Sequence, residues 1–192
     1  MDSPRRKAQL NLVVGINGTG KTTFLQHNVV EKSRKCLVVT PDEMEWRHLP
    51  TVSTPSEIYN IQQPSRIIYQ GPETISTVIH NFYGGALILD DARSYIGAMT
   101  SDELNYLYIR RRQRAVDIYI VAHGMRQVPV QCFTYMSFLI LFLTTENISD
   151  RRKDIDPELY ARILQAKERL KARRSKEHNP HVYEIIKMDY AL

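Results

Sequence analysis

The densest chemistry in the sequence lies near its start, in the stretch GINGTGKTT at positions 15–23. Gly15, Ile16, Asn17, Gly18, Thr19, Gly20, Lys21 and Thr22 satisfy the pattern G-x-x-x-x-G-K-[ST] at every fixed position. The apolar run Leu12-Val13-Val14 precedes it and a helix-forming stretch follows, which is the strand–turn–helix setting such a loop needs. Glycines let successive backbone N–H groups turn inward as an anion nest, and the start of the following helix adds partial positive charge. In that frame Lys21 reaches the β- and γ-phosphates of a nucleotide, the Thr22 hydroxyl joins the shell of a magnesium ion, and Thr23 completes the cradle. The stretch therefore predicts ATP and Mg²⁺ as ligands.

A second stretch, ALILDD at 86–91, is an apolar strand ending in two carboxylates. Asp90 at the strand end is placed to hold magnesium, usually through water. Asp91 has two readings. It is a residue that orients an attacking water, or it is the N-cap of a short helix opened by Ala92 and Arg93. The difference matters, because hydrolysis needs a group that polarises water and transfer to another acceptor does not.

The remaining charge is basic and clustered. The chain carries a formal net charge of +5, and residues 151–177 contain ten Lys/Arg against five Asp/Glu, so that segment alone accounts for the excess. Arg110, Arg111, Arg112 and Arg114 form a second knot. Such clusters fit phosphate or nucleic-acid partners, with double-stranded DNA bound through its backbone; they also fit a solvated helix face packed through Leu159, Ile163, Leu164 and Leu170.

These groups must be positioned by a scaffold that the hydrophobic pattern outlines. Leu10–Val14, Cys36–Thr40, Arg66–Gln70, Ala86–Asp90, Val116–Ala122 and Phe138–Thr144 read as short buried strands. Between them lie predicted helices over about 21–33, Pro72–Phe82 and Thr100–Arg112, the last with Ser101 as a plausible N-cap. Continuous apolar strands alternating with helices argue for a mainly parallel sheet covered on both faces. Residues 41–65, with four prolines, Trp46 and His48, read as irregular with at most one short helix. Pro157–Lys176 reads as a long polar helix, and His181–Met188 as a terminal strand that either closes this sheet or joins a neighbour's. Residues 1–148 are expected to form the core, and 149–192 a basic helical extension of the same domain ending in that strand.

Composition excludes several classes. At 192 residues the chain suits one substantial core. The longest nearly apolar stretch, Cys132–Leu143, has twelve residues, against the roughly 20 a spanning helix needs, so no membrane segment is expected. The basic N-terminus lacks the apolar centre of a secretory signal. The two cysteines, Cys36 and Cys132, sit in apolar surroundings and read as reduced buried thiols of a cytoplasmic protein.

Taken in order, GINGTGKTT, ALILDDARSYIG, LYIRRRQRAVDIYIVAHGMRQVP and SFLILFLTTEN resemble the FtsK–HerA superfamily of P-loop ATPases across roughly residues 9–147. Within it the chain is most similar to the genome-packaging ATPases of tailless icosahedral viruses and to zonular-occludens-toxin-like ATPases. The resemblance implies an α/β P-loop NTPase fold of RecA/ASCE-like three-layer type, followed here by a basic C-terminal helix. It places Arg112 and Arg114 where a neighbouring subunit's arginine finger is expected, and makes Arg93 an outside candidate. It implies a homo-oligomeric ring, a hexamer, around double-stranded DNA, docked on a capsid vertex or portal protein in the host cytoplasm or virion. Two positions depart from the pattern: Asp91 stands where Glu is usual, and His123 where a sensor Gln is usual. His123 can donate a hydrogen bond as Gln would, or it can be a strand-end histidine facing solvent.

Three functions follow. The first is an ATP-hydrolysing DNA motor. The second is a small-molecule or nucleotide kinase, whose acceptor site would have to lie in the 41–65 loop. The third is a nucleotide-gated assembly or secretion adaptor with little turnover.

Overall fold

The computed structural model describes residues 8–97, 99–177 and 181–188. Residues 1–7, on which the reading of the N-terminus rests, and 189–192 at the end of the extension lie outside the described residues. The elements run in chain order as β1 (Leu10–Val14), α1 (Lys21–Leu25, prolonged by a π-helical turn Gln26–Val30), β2 (Cys36–Thr40), α2 (Pro55–Tyr59), β3 (Ser65–Ile68), α3 (Pro72–Asn81) and β4 (Gly85–Leu89). They continue as α4 (Arg93–Ile96), α5 (Ser101–Asn105, prolonged by a π-helical turn Tyr106–Arg110), α6 (Arg111–Arg114), β5 (Val116–Ala122), α7 (Val130–Tyr135), β6 (Phe138–Phe142), α8 (Pro157–Glu177) and β7 (Tyr183–Lys187).

The seven strands form one sheet in the order β3-β2-β4-β5-β1-β6-β7. All pairings are parallel except β6 with β7. Side chains alternate across a strand, and both faces are buried. Leu12, Val14, Leu37, Val39, Leu87, Leu89, Leu139 and Leu141 face one side, against Ile75, Val78 and Ile79 of α3, Phe133 of α7, and Ile163 and Leu170 of α8. Val13, Val38, Ile88, Val121 and Ile140 face the other, against Leu25, Val29 and Val30 of α1 and its π turn and against Trp46. Two buried faces explain why the strands read as unbroken apolar runs. Each fully buried aliphatic side chain contributes ~1.5–3 kcal/mol relative to exposure.

The strand order sets what meets at the rim. In a parallel sheet all C-terminal strand ends point one way, so the loops after β1, β2, β4 and β5 converge. Strand β5 lies between β1 and β4, which puts its terminal residue between the phosphate loop and the two aspartates. The antiparallel β7 enters the same rim from the opposite side, with Tyr183 beside Phe142, the last residue of β6. Of the two readings of the terminal strand, it is the closure of this sheet's own edge that the fold adopts.

Three sequence expectations are revised. The N-cap of α5 is Thr100, not Ser101: Thr100 accepts from the Glu103 amide and Glu103 reaches back, a full capping box. The strand read over Phe138–Thr144 ends at Phe142, and α7 occupies the apolar residues before it, with Ser137 between them donating its amide to the Leu10 carbonyl. On α8 the buried stripe is Leu159, Ile163, Ala166 and Leu170, while Leu164 is 41% exposed. A spacing of four, three and four keeps one helix face, and Leu164 lies off it. Both cysteines are free and buried, and burial pushes each thiol up to about 12, which keeps them protonated and unreactive.

Candidate active site

The loop after β1 is tied to both neighbouring strands. The Gly15 amide donates to the Ala122 carbonyl at the end of β5, and the Ile16 amide to the Leu143 carbonyl just beyond β6. The Thr19 hydroxyl donates to the Ile16 carbonyl at 2.7 Å, closing the turn internally. Gly20 heads α1 at φ 92°, a left-handed conformation that disfavours any residue with a Cβ. Thr22 and Thr23 are exposed to the open space above.

Lys21 is buried, and its ammonium donates to the carbonyls of Gly15 at 2.6 Å and Ile16 at 3.0 Å. Burial lowers its pKa, opposed by the nearby charges of Asp90, Glu45 and Asp91. The free lysine thus spends its charge on the carbonyls of its own loop, and it is close enough to exchange them for an anion lodged in the nest.

Asp90 is buried at the end of β4, and its carboxylate is held by two donors. Trp46 Nε1–H donates to Oδ2 at 2.7 Å, and the Asp91 amide donates to Oδ1 at 3.1 Å. The Tyr95 hydroxyl donates to the Asp90 backbone carbonyl at 2.6 Å, and burial raises the Tyr95 pKa well above the ordinary phenol. Trp46 reaches Asp90 from a backbone at φ 56°, a conformation that costs a bulky residue energy and persists only where its surroundings enforce it.

Asp91, also at positive φ, accepts from the Ser94 hydroxyl at 3.0 Å through Oδ2. Its Oδ1 is buried and has no hydrogen-bond partner, although His123 Nε2 lies 3.4 Å away. The N-cap position of α4 is Ala92, and that helix has no side-chain cap. His123 stands between the two charges: its Nδ1 is 3.5 Å from Lys21 Nζ. Its amide donates to Gln127 Oε1 at 3.0 Å. The loop that follows is clamped by Glu146, which accepts the amides of Met125 and Arg126. A Cβ on Gly124 would sit 2.6 Å from Glu146 Oε2, so a larger residue there would push the Glu146 carboxylate off the two amides it holds.

Sequence reasoning missed four residues at this site: Asp42, Glu45 and His181, which line the pocket, and Trp46, which holds Asp90. Together with Asp42, Glu45 and His181 line the same ~560 Å³ cavity as Asn17, Gly18, Lys21, Thr22, Thr23, Asp90, Asp91 and His123. Glu45 is pushed up to about 7 by burial first, then by hydrogen bonding to Asp90 and by the neighbouring negative charge. The Thr22 hydroxyl and the Asp90 carboxylate are oxygen donors of the kind a hard divalent cation takes, and among the described residues no group of three or more His, Cys, Asp or Glu side chains is placed to hold a metal ion. A magnesium ion held by Thr22 and Asp90 would neutralise charge on adjacent phosphate oxygens.

The arginines are not brought to this rim. They immediately precede β5, whose seven residues separate them from His123 by about 20 Å at the usual rise per residue. Arg111 is buried and donates to the Tyr135 carbonyl. Arg114 donates to the carbonyls of Ile79 and Phe82, and its guanidinium lies 3.9 Å from the Tyr83 ring centre and 4.3 Å from that of Tyr106. Arg112 is exposed, as is Arg93 beside the aspartates. On and before α8 the basic side chains divide. Arg169 and Arg173 pair with Glu184, and Lys167 donates to the Glu146 carbonyl. Among the described residues no ion pair involves Arg152, Lys153, Arg174 or Lys176. No helix among the described residues is long and apolar enough to cross a membrane.

The fold and the loop define an α/β P-loop NTPase fold. No model of a known protein family matches the chain, and no curated protein matches its sequence. Among solved structures, it is similar to the genome packaging NTPase B204 from Sulfolobus turreted icosahedral virus 2 in complex with AMP, with a TM-score of 0.74 at 13% identity over 96% of this chain and 95% of that one. The DNA-packaging ATPase B204 from Sulfolobus Turreted Icosahedral Virus matches with a TM-score of 0.72 at 14% identity, over 97% and 96% of the two chains. The N-terminal domain of zonular occludens toxin from Neisseria meningitidis reaches a TM-score of only 0.41 at 15% identity, over 72% and 78%, and carries no argument. At these identities the likeness shows a shared fold.

Proposed function

We propose that the chain is an ATP-hydrolysing motor that moves double-stranded DNA, in the role of a viral genome-packaging ATPase. One observation carries this reading: Lys21, His123 and Asp91 stand in a chain of close approaches, 3.5 Å and 3.4 Å, beside the phosphate loop. That is a set built to sense a terminal phosphate and activate a water next to it. Lys21 leaves the Gly15 and Ile16 carbonyls for the phosphate oxygens. Thr22 and Asp90 would hold magnesium, with Trp46 fixing the Asp90 carboxylate. Asp91, whose Oδ1 lies 3.4 Å from His123 Nε2, accepts a proton from the attacking water, and His123, whose backbone amide donates to Gln127 Oε1, donates from its ring to the terminal phosphate. General-base positioning of this kind contributes typically 10²–10⁴-fold.

The distance of the arginine knot from this chain's own phosphate loop fits a finger supplied in trans, with Arg112 the exposed member available to a neighbour and Arg114 held by carbonyls and rings. A ring, a hexamer by resemblance, would bring that arginine to the adjacent site. The unpaired Arg152, Lys153, Arg174 and Lys176 are the basic groups available to DNA phosphates. Docking on a capsid vertex or portal, and a cytoplasmic or virion location, follow from the same reading. The kinase alternative is weakened by its acceptor loop. Trp46 ties that loop to Asp90, and Arg66 donates to the carbonyls of Glu43 and Glu45 at 2.7 and 2.6 Å, so the segment is a wall of the pocket.

The test is steady-state phosphate release from ATP, with and without linear double-stranded DNA, with Lys21→Ala as the blank. Release that rises with DNA and disappears in the blank supports the motor. Release absent under both conditions, or dependent on an added phosphoryl acceptor, overturns it.

A further inference from the structure

The pocket has a second flank that the hydrolytic residues do not use. Asp90, Asp91 and His123 come from β4 and β5, on one side of β1. His181 comes from the other side: it leads into β7, which pairs with β6, which pairs with β1. Its ring lies on the phosphate loop, so closely that a Cβ at position 20 would be 2.5 Å from His181 Nδ1. It lines the same cavity as Gly20 and Thr23. Just below it, Tyr183 packs edge-on to Phe24 with ring centres 4.9 Å apart, and against Phe142 at 5.4 Å. The backbone that carries His181 is thereby anchored to α1 and β6.

A triphosphate lying in the loop with its terminal phosphate toward Asp91 and His123 must extend its nucleoside toward the opposite flank, past Thr23. Resting on the reading of the pocket as an ATP site, we propose that His181 is the nucleoside-binding residue of this site, its flat ring stacking on the base or lying along the ribose of the bound nucleotide. An imidazole offers a π-face and an edge of N–H and N atoms, which suits a purine better than a phosphate already served by the loop amides and Lys21. Glu184 of β7 pairs with Arg169 and Arg173 of α8, so the strand that His181 leads into is also tied to that helix.

The experiment is calorimetric titration of the full chain with Mg·ATP and separately with magnesium tripolyphosphate, which has the phosphates and no nucleoside. The proteins are wild type, His181→Ala and His181→Phe, with thermal melting as the folding control. The proposal expects His181→Ala to weaken ATP roughly tenfold, the size of one base–aromatic stack, to leave tripolyphosphate within twofold, and His181→Phe to restore most of the ATP affinity. Equal losses for both ligands would place His181 on the phosphates, and no loss for either would remove it from the site; each overturns the proposal. If wild type binds neither ligand, it is the reading of the pocket as an ATP site that fails, an outcome distinct from either.

Discussion

Replacing Trp46 by Phe isolates one contact that the account needs. The indole N–H donates to Asp90 Oδ2 at 2.7 Å, and both residues are buried, at 4% and 6% exposure. Phe keeps an aromatic side chain and the backbone strain but removes the donor. A hydrogen bond to a charged acceptor is worth about 1.5–3 kcal/mol, and the trimmed ring leaves a small cavity worth on the order of 1 kcal/mol. The expected loss is therefore about 2–4 kcal/mol, which for a chain of this length lowers the melting midpoint by roughly 5–12 °C. The assay is chemical and thermal unfolding followed by circular dichroism, paired with a magnesium titration of nucleotide binding. Because Asp90 loses the donor that aims it, magnesium-dependent affinity should fall about tenfold while affinity in EDTA changes little. A variant within about 0.5 kcal/mol of wild type, with unchanged magnesium dependence, would refute the argument that Trp46 positions Asp90.

Further predictions separate structural from chemical roles. Arg114→Ala should cost about 2–4 kcal/mol in urea unfolding, from two carbonyl hydrogen bonds and its contacts with Tyr83 and Tyr106, whereas Arg112→Ala should stay within about 0.5 kcal/mol and lose turnover; the reverse order would dissolve the assignment of Arg112 as the finger. Glu45 predicts a pH signature with a definite sign. Its native pKa is raised, so between the ordinary carboxylate range and about 7 the folded state binds more protons than the unfolded one, and stability falls as pH rises. Glu45→Gln removes that penalty. The variant should gain on wild type above pH 7, by about 1 kcal/mol after solvent screening, and the gain should vanish toward pH 4.5; melting midpoints across pH check it, and a constant difference contradicts it. Trp46 is the chain's one tryptophan, so magnesium nucleotide should shift its emission in wild type and leave it unchanged in Lys21→Ala.

What the sequence could reveal depended on how local the cause was. The loop at 15–23 and the aspartate at the end of β4 were legible because a glycine turn and a strand end announce themselves within a few residues. Six of the seven strands were found where apolar runs met turn residues, and the seventh was placed without its partner. The residues that escaped are those whose role depends on strand order. Glu45 and Trp46 follow β2, and only the pairing of β2 with β4 brings them onto Asp90. His181 is about 160 positions from Gly20 and touches it because β7 folds back antiparallel on β6. The arginine knot shows the opposite case. It stood beside the site's strand in sequence, yet it sits at the far end of that strand, and Arg114 has turned inward between two tyrosines. Thr100 displaced Ser101 as cap because only Thr100 is spaced to form the reciprocal bond with Glu103.

Movement along DNA driven by ATP hydrolysis at this site would displace a fluorescent triplex-forming strand from linear double-stranded DNA. Wild type should displace the strand with ATP and not with a non-hydrolysable analogue, and neither Lys21→Ala nor Asp91→Asn should displace it. Vigorous ATP turnover on the same DNA with the third strand left in place would contradict movement along DNA.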